Sequence, residues 1–241
     1  MAREYVEKNT AEMVRCLKEL VAIPGIFEDA PSKGAPFGKN IQKSLEYVLR
    51  MGQQMGFQVK NYDGYAGEIT AGEGNRMIGI LCHTDVVSAG EGWNTDPFDP
   101  VEKDGKLYGR GSADMKGAVA AFTVAAHRYA VENGKNFAGD VYVAGVVHEE
   151  CFEGVAARKI SEKVKPDYVV IGEASEMNLK VGQRGRAEIV VETFGVPAHS
   201  ANPEKGVNAV YKMCEAIQAI REIEPPVQDK LGKGILELTD V

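Results

Sequence analysis

Three short, nearly continuous apolar runs constrain the fold of this chain more than any other feature. They occupy residues 77–82, 141–147 and 168–171. Runs of this length without polar alternation are typical of strands that are buried on both faces of a sheet. Segments with helical periodicity separate them, at residues 115–132 and about 154–164. Strands that alternate with helices predict an α/β fold with a mostly parallel sheet and helices on both faces.

Two more helices are predicted ahead of the first apolar run. The first spans residues 11–21, with Thr10 as its N-cap. The second spans residues 40–55, and Gly56 is placed to end it in a left-handed conformation.

Acidic side chains follow each of the three apolar runs, and a histidine directly follows the first. These side chains are His83, Asp85, Glu149, Glu150 and Glu173. Asp114 joins them from the loop that enters the helix at residues 115–132. Because ligand sites of open parallel sheets lie beyond the carboxyl ends of the strands, we expect all of these side chains at one edge of the sheet.

This density of carboxylates indicates a bound cation. Two carboxylates a few ångströms apart raise one pKa strongly, and one or two divalent cations remove the repulsion. One histidine with several carboxylates suits catalytic zinc, and a pair of cations usually needs a bridging carboxylate, for which Asp114 is the natural candidate. His83 and Asp85 lie two apart on an extended strand, so Asp85 can orient the imidazole. Glu149 and Glu150 are adjacent and point differently, so one can bind metal while the other transfers a proton.

Six motifs that occur in order along the chain resemble those of a known enzyme family. They are HTDVV, GWNTDPF, DGKLYGRGSADMKG, HEE, IGEAS and PAHSANPEKG. With them the sequence resembles the dinuclear zinc aminoacylase/dipeptidase family, which includes acetylornithine deacetylase, succinyl-diaminopimelate desuccinylase, carboxypeptidase G and the Xaa-His dipeptidases. The resemblance covers the chain from about residue 11 to its end. The H-x-D, D-x-K-G and E-E elements are specific in combination, whereas each alone would be a weak signal.

The resemblance implies a ligand set for two zinc ions, with Co²⁺ or Mn²⁺ as substitutes. His83 and Glu173 would ligate one ion, and Glu150 would ligate the other. Asp114 would bridge the two ions, and Asp85 would orient the histidine from behind. The family pattern also implies a cis peptide bond after Asp114.

The resemblance implies a reaction as well. Glu149 would act as general base while a metal-activated water cleaves the amide bond of a small N-acyl amino acid or dipeptide. His199, in the motif PAHSAN, would reach the scissile carbonyl from a lid domain, often from a partner subunit. A homodimer through that domain is therefore expected.

A change of pattern near residues 182–185 indicates a second domain. We expect a catalytic metal-binding domain over residues 1–181 and part of an α+β lid domain over residues 182–241. Within the lid, the pattern predicts a strand, a helix and a strand at residues 187–194, 208–222 and 235–238. The family's last metal-binding histidine has no counterpart here, so the sequence is interpreted as the N-terminal part of such an enzyme, inactive as an isolated fragment.

Composition restricts the partners and the location that we expect. The chain has 28 Lys+Arg against 35 Asp+Glu, a formal net charge of −7, which argues against a nucleic-acid or anionic-membrane surface. The polar N-terminus and the lack of an apolar stretch of about 18 residues predict a cytoplasmic protein without a signal peptide. The four cysteines lie far apart, which favours reduced thiols, and strand alternation turns Cys82 away from His83 into an apolar environment.

Two questions stay open at this point. The alternative function is a non-catalytic metal-binding relative or scaffold with an incomplete site, although Asp85 and Glu149 favour descent from a working enzyme because neither is needed simply to hold metal. Within the enzyme class, residues 36–69 resemble the Xaa-His dipeptidase branch, whereas DMKG, EECFEG and GEASEMNLKVGQRGR resemble deacylases. The two remaining histidines, His127 and His148, are assigned structural roles.

Overall fold

The computed structural model describes residues 2–134, 140–151 and 154–240. The chain divides into two compact units, Met1–Glu176 and Met177–Val241. Within the described ranges, no helix combines the length and the apolar character that a bilayer crossing requires.

The elements of the first unit follow one another as mixed α and β structure. In chain order they are α1 (Ala2–Val21), α2 (Lys39–Gln54), β1 (Gln58–Tyr62), β2 (Ala66–Ala71), β3 (Met77–His83), β4 (Val101–Lys103), β5 (Lys106–Tyr108), α3 (Lys116–Glu132), β6 (Asp140–Val146), α4 (Val155–Ser161) and β7 (Tyr168–Ile171). The three apolar runs form β3, β6 and β7, as predicted.

The main sheet has five strands in the order β1-β2-β6-β3-β7. Strand β3 pairs in parallel with β6 on one side and with β7 on the other. The β1–β2 hairpin is antiparallel and continues the sheet antiparallel to β6. The α/β prediction is confirmed, with the parallel strands in one half of a mixed sheet and a hairpin that the sequence analysis missed in the other half.

The predicted start of helix α1 is wrong, whereas the predicted end of helix α2 is confirmed. Helix α1 begins well before residue 11, so the prediction of Thr10 as N-cap is wrong. The Thr10 hydroxyl instead donates to the carbonyl O of Val6 at 2.8 Å, within the helix. Helix α2 ends as expected: Gly56 has a φ of 80°, and its N–H donates to the carbonyl O of Gln53. The next N–H, that of Phe57, closes the Schellman turn.

Small residues let helix α2 lie close against the hairpin. A β-carbon added to Gly67 of β2 would meet Leu45 and Leu49 of α2 at 2.9 Å each. A β-carbon added to Gly52 of α2 would meet Ile69 at 2.8 Å. These approaches are tighter than side chains normally allow, so glycine at both positions sets the spacing between helix and sheet.

Packing around α3 buries the thiol that the sequence placed away from the site. A β-carbon on Gly172, just beyond β7, would meet Met115, Cys82 and Phe122 at 2.9 to 3.0 Å. Cys82 is 1% exposed, and burial raises its pKa to about 12. The prediction of a buried, apolar Cys82 is therefore confirmed.

The second unit contains little regular structure among its described residues. Its elements are the 3₁₀ helix Pro203–Lys205, α5 (Ala209–Arg221), β8 (Val227–Gln228) and β9 (Gly232–Lys233). Helix α5 confirms the predicted helix, and the Asn208 side chain caps it by accepting from the N–H of Val210 at 2.9 Å. The predicted strands at residues 187–194 and 235–238 are wrong, because neither segment pairs with a neighbouring strand here and alternation alone does not make a ladder.

Candidate metal centre

Three parallel strands bring the predicted ligands to one edge of the main sheet. His83 is the last residue of β3, and Glu173 lies two residues beyond β7. Glu149 and Glu150 follow β6, and Asp114 lies just ahead of α3. Because β3, β6 and β7 run in the same direction, the residues that follow them share the edge at the carboxyl ends of the strands, and Asp114 reaches that edge from its loop, in contact with His83.

The imidazole of His83 is the buried centre of the group. The ring is 2% exposed, and its Nδ1 lies 3.0 Å from the backbone carbonyl O of Asp85, to which it donates in the tautomer protonated at that nitrogen. Its Nε2 lies 3.0 Å from a carboxylate oxygen of Asp114 and 3.8 Å from one of Glu173. A carboxylate oxygen of Glu149 lies 3.9 Å from the same nitrogen. The hydrogen bond at Nδ1 therefore directs Nε2 at the carboxylates.

One nitrogen and two carboxylates are close enough to share a cation. A ligand atom from each of His83, Asp114 and Glu173 lies within 4.8 Å of the others. The side chains of Asp114 and Glu173 are 56% and 45% exposed, so a cation can reach both carboxylates from solvent. A nitrogen with two carboxylates is a donor set that suits zinc and related divalent metals. The peptide bond between Asp114 and Met115 is cis, as the resemblance implied.

Asp85 lies behind the histidine, but its carboxylate has a different partner from the one predicted. A carboxylate oxygen of Asp85 lies 3.6 Å from Nδ1 of His83, beyond hydrogen-bond distance. The other oxygen accepts from the backbone N–H of Glu150 at 3.1 Å. Asp85 thus contacts the imidazole through its carbonyl group, while its buried carboxylate holds the loop after β6.

Burial and the clustered carboxylates shift the pKa values of two groups in the site. Burial lowers the pKa of His83, but the carboxylates of Asp85, Glu149 and Glu173 outweigh that effect and raise it to about 9. Burial also raises the pKa of Glu150, and the nearby carboxylate of Asp114 adds to this shift. Both shifts favour a bound proton where a cation would otherwise balance the carboxylates.

A buried cation beside the site was missed by the sequence analysis. Lys116, the first residue of α3, is fully buried, and its ammonium donates to the carbonyl oxygens of Leu20 at 3.1 Å and Ile23 at 2.6 Å. Burial lowers its pKa to about 8, against the opposing effect of Asp85. The signal was present in the motif DMKG, where this lysine stands two residues after Asp114.

Comparison with known proteins identifies the family. A sequence profile described as Peptidase family M20/M25/M40 matches residues 79–232, which is more than half of the chain. This chain belongs to the M20/M25/M40 peptidase family. The matched region contains every residue of the candidate site, from His83 to His199.

Individual proteins match most of this M20/M25/M40 chain. YgeY of Escherichia coli K12, an uncharacterized protein, is 30% identical in an alignment of 245 positions, which covers 99% of this chain and 58% of YgeY. Human carnosine dipeptidase 1 superposes with a TM-score of 0.60 and 26% identity, over 80% of this chain and 43% of that structure. The metallo-carboxypeptidase Sso-CP2 of Sulfolobus solfataricus shares the fold, with a TM-score of 0.60 and 18% identity over 87% of this chain and 49% of its own. The chain thus spans about half the length of these relatives.

His199, the remaining predicted site residue of this M20/M25/M40 chain, lies in the second unit. Its Nδ1 accepts a hydrogen bond from the backbone N–H of Ala201 at 3.1 Å, and its side chain is exposed. The first unit thus contains the six other predicted residues, of which His83, Asp114 and Glu173 form the cluster within 4.8 Å.

Proposed function

We propose that this chain carries the metal site of a zinc-dependent hydrolase that cleaves the amide bond of a small dipeptide or N-acyl amino acid. The observation that supports this most is the convergence of His83, Asp114 and Glu173 at one sheet edge in a member of a peptidase family. A dipeptide is the favoured substrate, because human carnosine dipeptidase 1 is named for one and is 26% identical to this chain.

The ligands of the first cation would be His83, Asp114 and Glu173. When bound, a divalent cation polarises the substrate carbonyl and lowers the pKa of a coordinated water toward about 7. The fixed Nδ1 hydrogen bond holds Nε2 of His83 ready to coordinate without reorganisation of the ring. Asp114 has a second carboxylate oxygen to offer, so it would be shared with a second cation that Glu150 would help to hold.

The proton transfer is assigned to Glu149. Its carboxylate is 32% exposed and lies 3.9 Å from Nε2 of His83, so it borders the cation position and remains open to solvent. From there it can accept the proton of the attacking water and return it to the leaving amine nitrogen. Glu149 is therefore the general base in this proposal.

His199 and the second unit complete the proposal. We assign His199 to the substrate carbonyl, where an imidazole N–H can donate to the oxygen as negative charge develops. Residues 182–241 would then belong to a lid domain that also joins two copies of the protein. Both assignments follow from the family resemblance.

Zinc binding and turnover test the proposal together. The purified chain, and any longer natural form of the protein, are stripped with a chelator, titrated with Zn²⁺ and assayed on a panel of dipeptides and N-acyl amino acids. We expect little or no turnover from the 241-residue chain alone, zinc-dependent release of the amine from a longer form that completes the ligands of the second cation, and loss of tight zinc binding in Asp114→Asn. The matched control is Asp104→Asn, in the turn between β4 and β5, where the φ of 52° suits asparagine as well as aspartate. Zinc binding without turnover in any form would favour a non-catalytic metal-binding relative.

A further inference from the structure

The side chain of His148 is packed among aromatic rings next to the candidate metal centre. Its imidazole stacks on Phe37, with ring centroids 4.2 Å apart and an interplanar angle of 16°. It meets Phe27 edge-on at 5.0 Å, and Phe37 in turn meets Tyr65 edge-on at 5.2 Å. These four residues, called the ring cluster here, join the loop before α2, the β1–β2 turn and the segment after β6.

The backbone of His148 adopts a conformation that needs support. Its φ is 65°, in the left-handed region that residues with a β-carbon adopt only when their surroundings enforce it. Glu149 and Glu150 follow directly. The backbone angles of His148 therefore set the direction of the chain after β6, and with it the direction in which both carboxylates point. Any relaxation of this residue would therefore move the two carboxylates.

Ring contacts account for this support better than hydrogen bonds do. The Nδ1 atom of His148 is buried and has no hydrogen-bond partner in the described part of the chain. Phe37 covers one face of the imidazole, and Phe27 contacts it edge-on. On the other side of the turn, the N–H of Glu150 donates to the buried carboxylate of Asp85 at 3.1 Å. The loop is thus held at two points, by the rings and by Asp85.

We propose that the ring cluster is a positioning element, in which Phe27 and Phe37 hold His148 in the left-handed turn that presents Glu149 and Glu150 to the metal centre. His148 acts through its two neighbours and is a positioning residue. The inference rests on the proposed function, because that function gives the two carboxylates their roles.

A double-mutant cycle in the metal-free chain tests the ring contact directly. His148→Asn removes the ring while asparagine still tolerates the left-handed backbone, and Phe37→Leu removes the stacking partner while keeping an apolar side chain. The readout is the hydrogen-exchange protection of the Glu150 amide, measured by NMR in the presence of a chelator. This amide reports the turn because it donates to Asp85.

We expect each single variant to lower the protection of the Glu150 amide at least about tenfold, while amides of β3 and α3 change little. The double variant should lose no more than the worse single variant, because both changes break the same contact. Unchanged protection in His148→Asn, or losses that add, would overturn the proposal. If His148→Asn does not fold, Phe37→Leu alone decides by the same readout.

A second ring pair provides the matched control. His127 of α3 meets Phe57 edge-on at 6.1 Å, about 16 Å along the helix from its first residue. His127→Asn should leave the Glu150 amide protected even where it lowers the melting temperature. Equal loss of protection in this variant would show a general loss of stability and would contradict the proposal.

Turnover separates this inference from the proposed function. In a form of the protein that hydrolyses a dipeptide, His148→Asn should lower kcat at least about tenfold with little change in KM, because the substrate contacts remain while the base is displaced. If the protein hydrolyses nothing, the proposed function fails, and the exchange data still decide whether the rings hold the turn.

Discussion

At the scale of single side chains, the chemistry of the site depends on the direction in which His83 faces. Its Nδ1 is occupied by the carbonyl O of Asp85, which leaves Nε2 among the carboxylates. Without a cation, the proton that His83 binds supplies the positive charge that these carboxylates require. A metal ion must displace that proton, so metal affinity should rise with pH.

We expect the metal-free protein to lose stability as His83 deprotonates. The folded-state pKa is raised from 6.5 to about 9, so the stabilising contribution is fully present below pH 6.5 and is lost as the pH rises through about 9. This contribution is on the order of 3 kcal/mol. It should be absent in His83→Asn, which can be checked by urea unfolding at about pH 6 and pH 9.5 in a chelator. Lys116 titrates in both proteins, so their difference isolates His83; equal pH dependence would contradict the prediction.

In a form of the protein that hydrolyses a dipeptide, we expect Glu149→Ala to abolish turnover and to leave the zinc content nearly unchanged. The carboxylate borders the cation position, yet the cluster of ligand atoms within 4.8 Å forms without it. Loss of a general base lowers kcat by at least about a hundredfold. Activity assays with metal analysis measure both quantities, and Glu162→Ala, on the exposed side of the first unit, is the matched control. Parallel loss of zinc and activity would reassign Glu149 to the ligand shell.

The sequence predicted the positions of the site residues well and their contacts less well. Parallel strands must end at a common edge, so the convergence of His83 and Glu173 followed from strand order, whereas Asp114 was placed there from the loop ahead of α3. The hydrogen bond from His83 to the Asp85 carbonyl depends on backbone torsions after β3, which no residue pattern encodes. The burial of Lys116 depends on where the end of α1 packs against α3, which is a tertiary contact.

At the scale of elements, the distance between α2 and the hairpin is set by glycines rather than by large apolar side chains. Gly52 of α2 faces Ile69 of β2, and Gly67 faces Leu45 and Leu49. Two opposing effects therefore act on any substitution at Gly52. Alanine favours the helix by about 1 kcal/mol, and crowding of the core disfavours the folded state by about 1–3 kcal/mol.

We expect crowding to prevail in Gly52→Ala, with a net loss of about 1 kcal/mol of unfolding free energy. The added methyl group would lie 2.8 Å from Cδ1 of Ile69, so Ile69→Val in the same chain should recover part of the loss. Gly185→Ala, which has nothing within 4 Å of the new carbon, should change stability by less than about 0.5 kcal/mol. Urea unfolding compares the variants, and a stabilised Gly52→Ala would refute the expectation.

The elements that the sequence analysis misjudged have weak or misleading local patterns. Strand β1 has the sequence QVKNY and mostly exposed residues, so its apolar signal is weak although it pairs fully with β2. Residues 187–194 show the opposite case: they alternate clearly, yet Ile189 and Val190 are 75% and 80% exposed and have no partner strand. Strand formation depends on a neighbour as much as on residue types.

At the scale of the whole molecule, we expect the 241-residue chain to bind at most one zinc ion tightly and to show little or no hydrolysis. Among the described residues, His83, Asp114 and Glu173 form the one group that meets the geometry of a metal site. A second ion near Glu150 would have carboxylates but no described nitrogen ligand, which lowers its affinity. Metal analysis at neutral pH and a dipeptide assay measure both quantities. Two stoichiometric zinc ions with full activity would mean that another residue, such as His148 or a partner chain's histidine, completes the site.

Strand β7 gives the molecule a property that is unrelated to catalysis. It forms one edge of the main sheet, and each of its four apolar residues is at least 47% exposed. An open edge of this kind offers unpaired backbone groups to another extended chain, so we expect the 241-residue chain to associate edge to edge at high concentration. The substitution Val170→Lys would place a positive charge on this edge, and repulsion between the lysines of two chains would oppose their association. The strand that carries Glu173 to the site is thus also an open edge at which a second chain could pair.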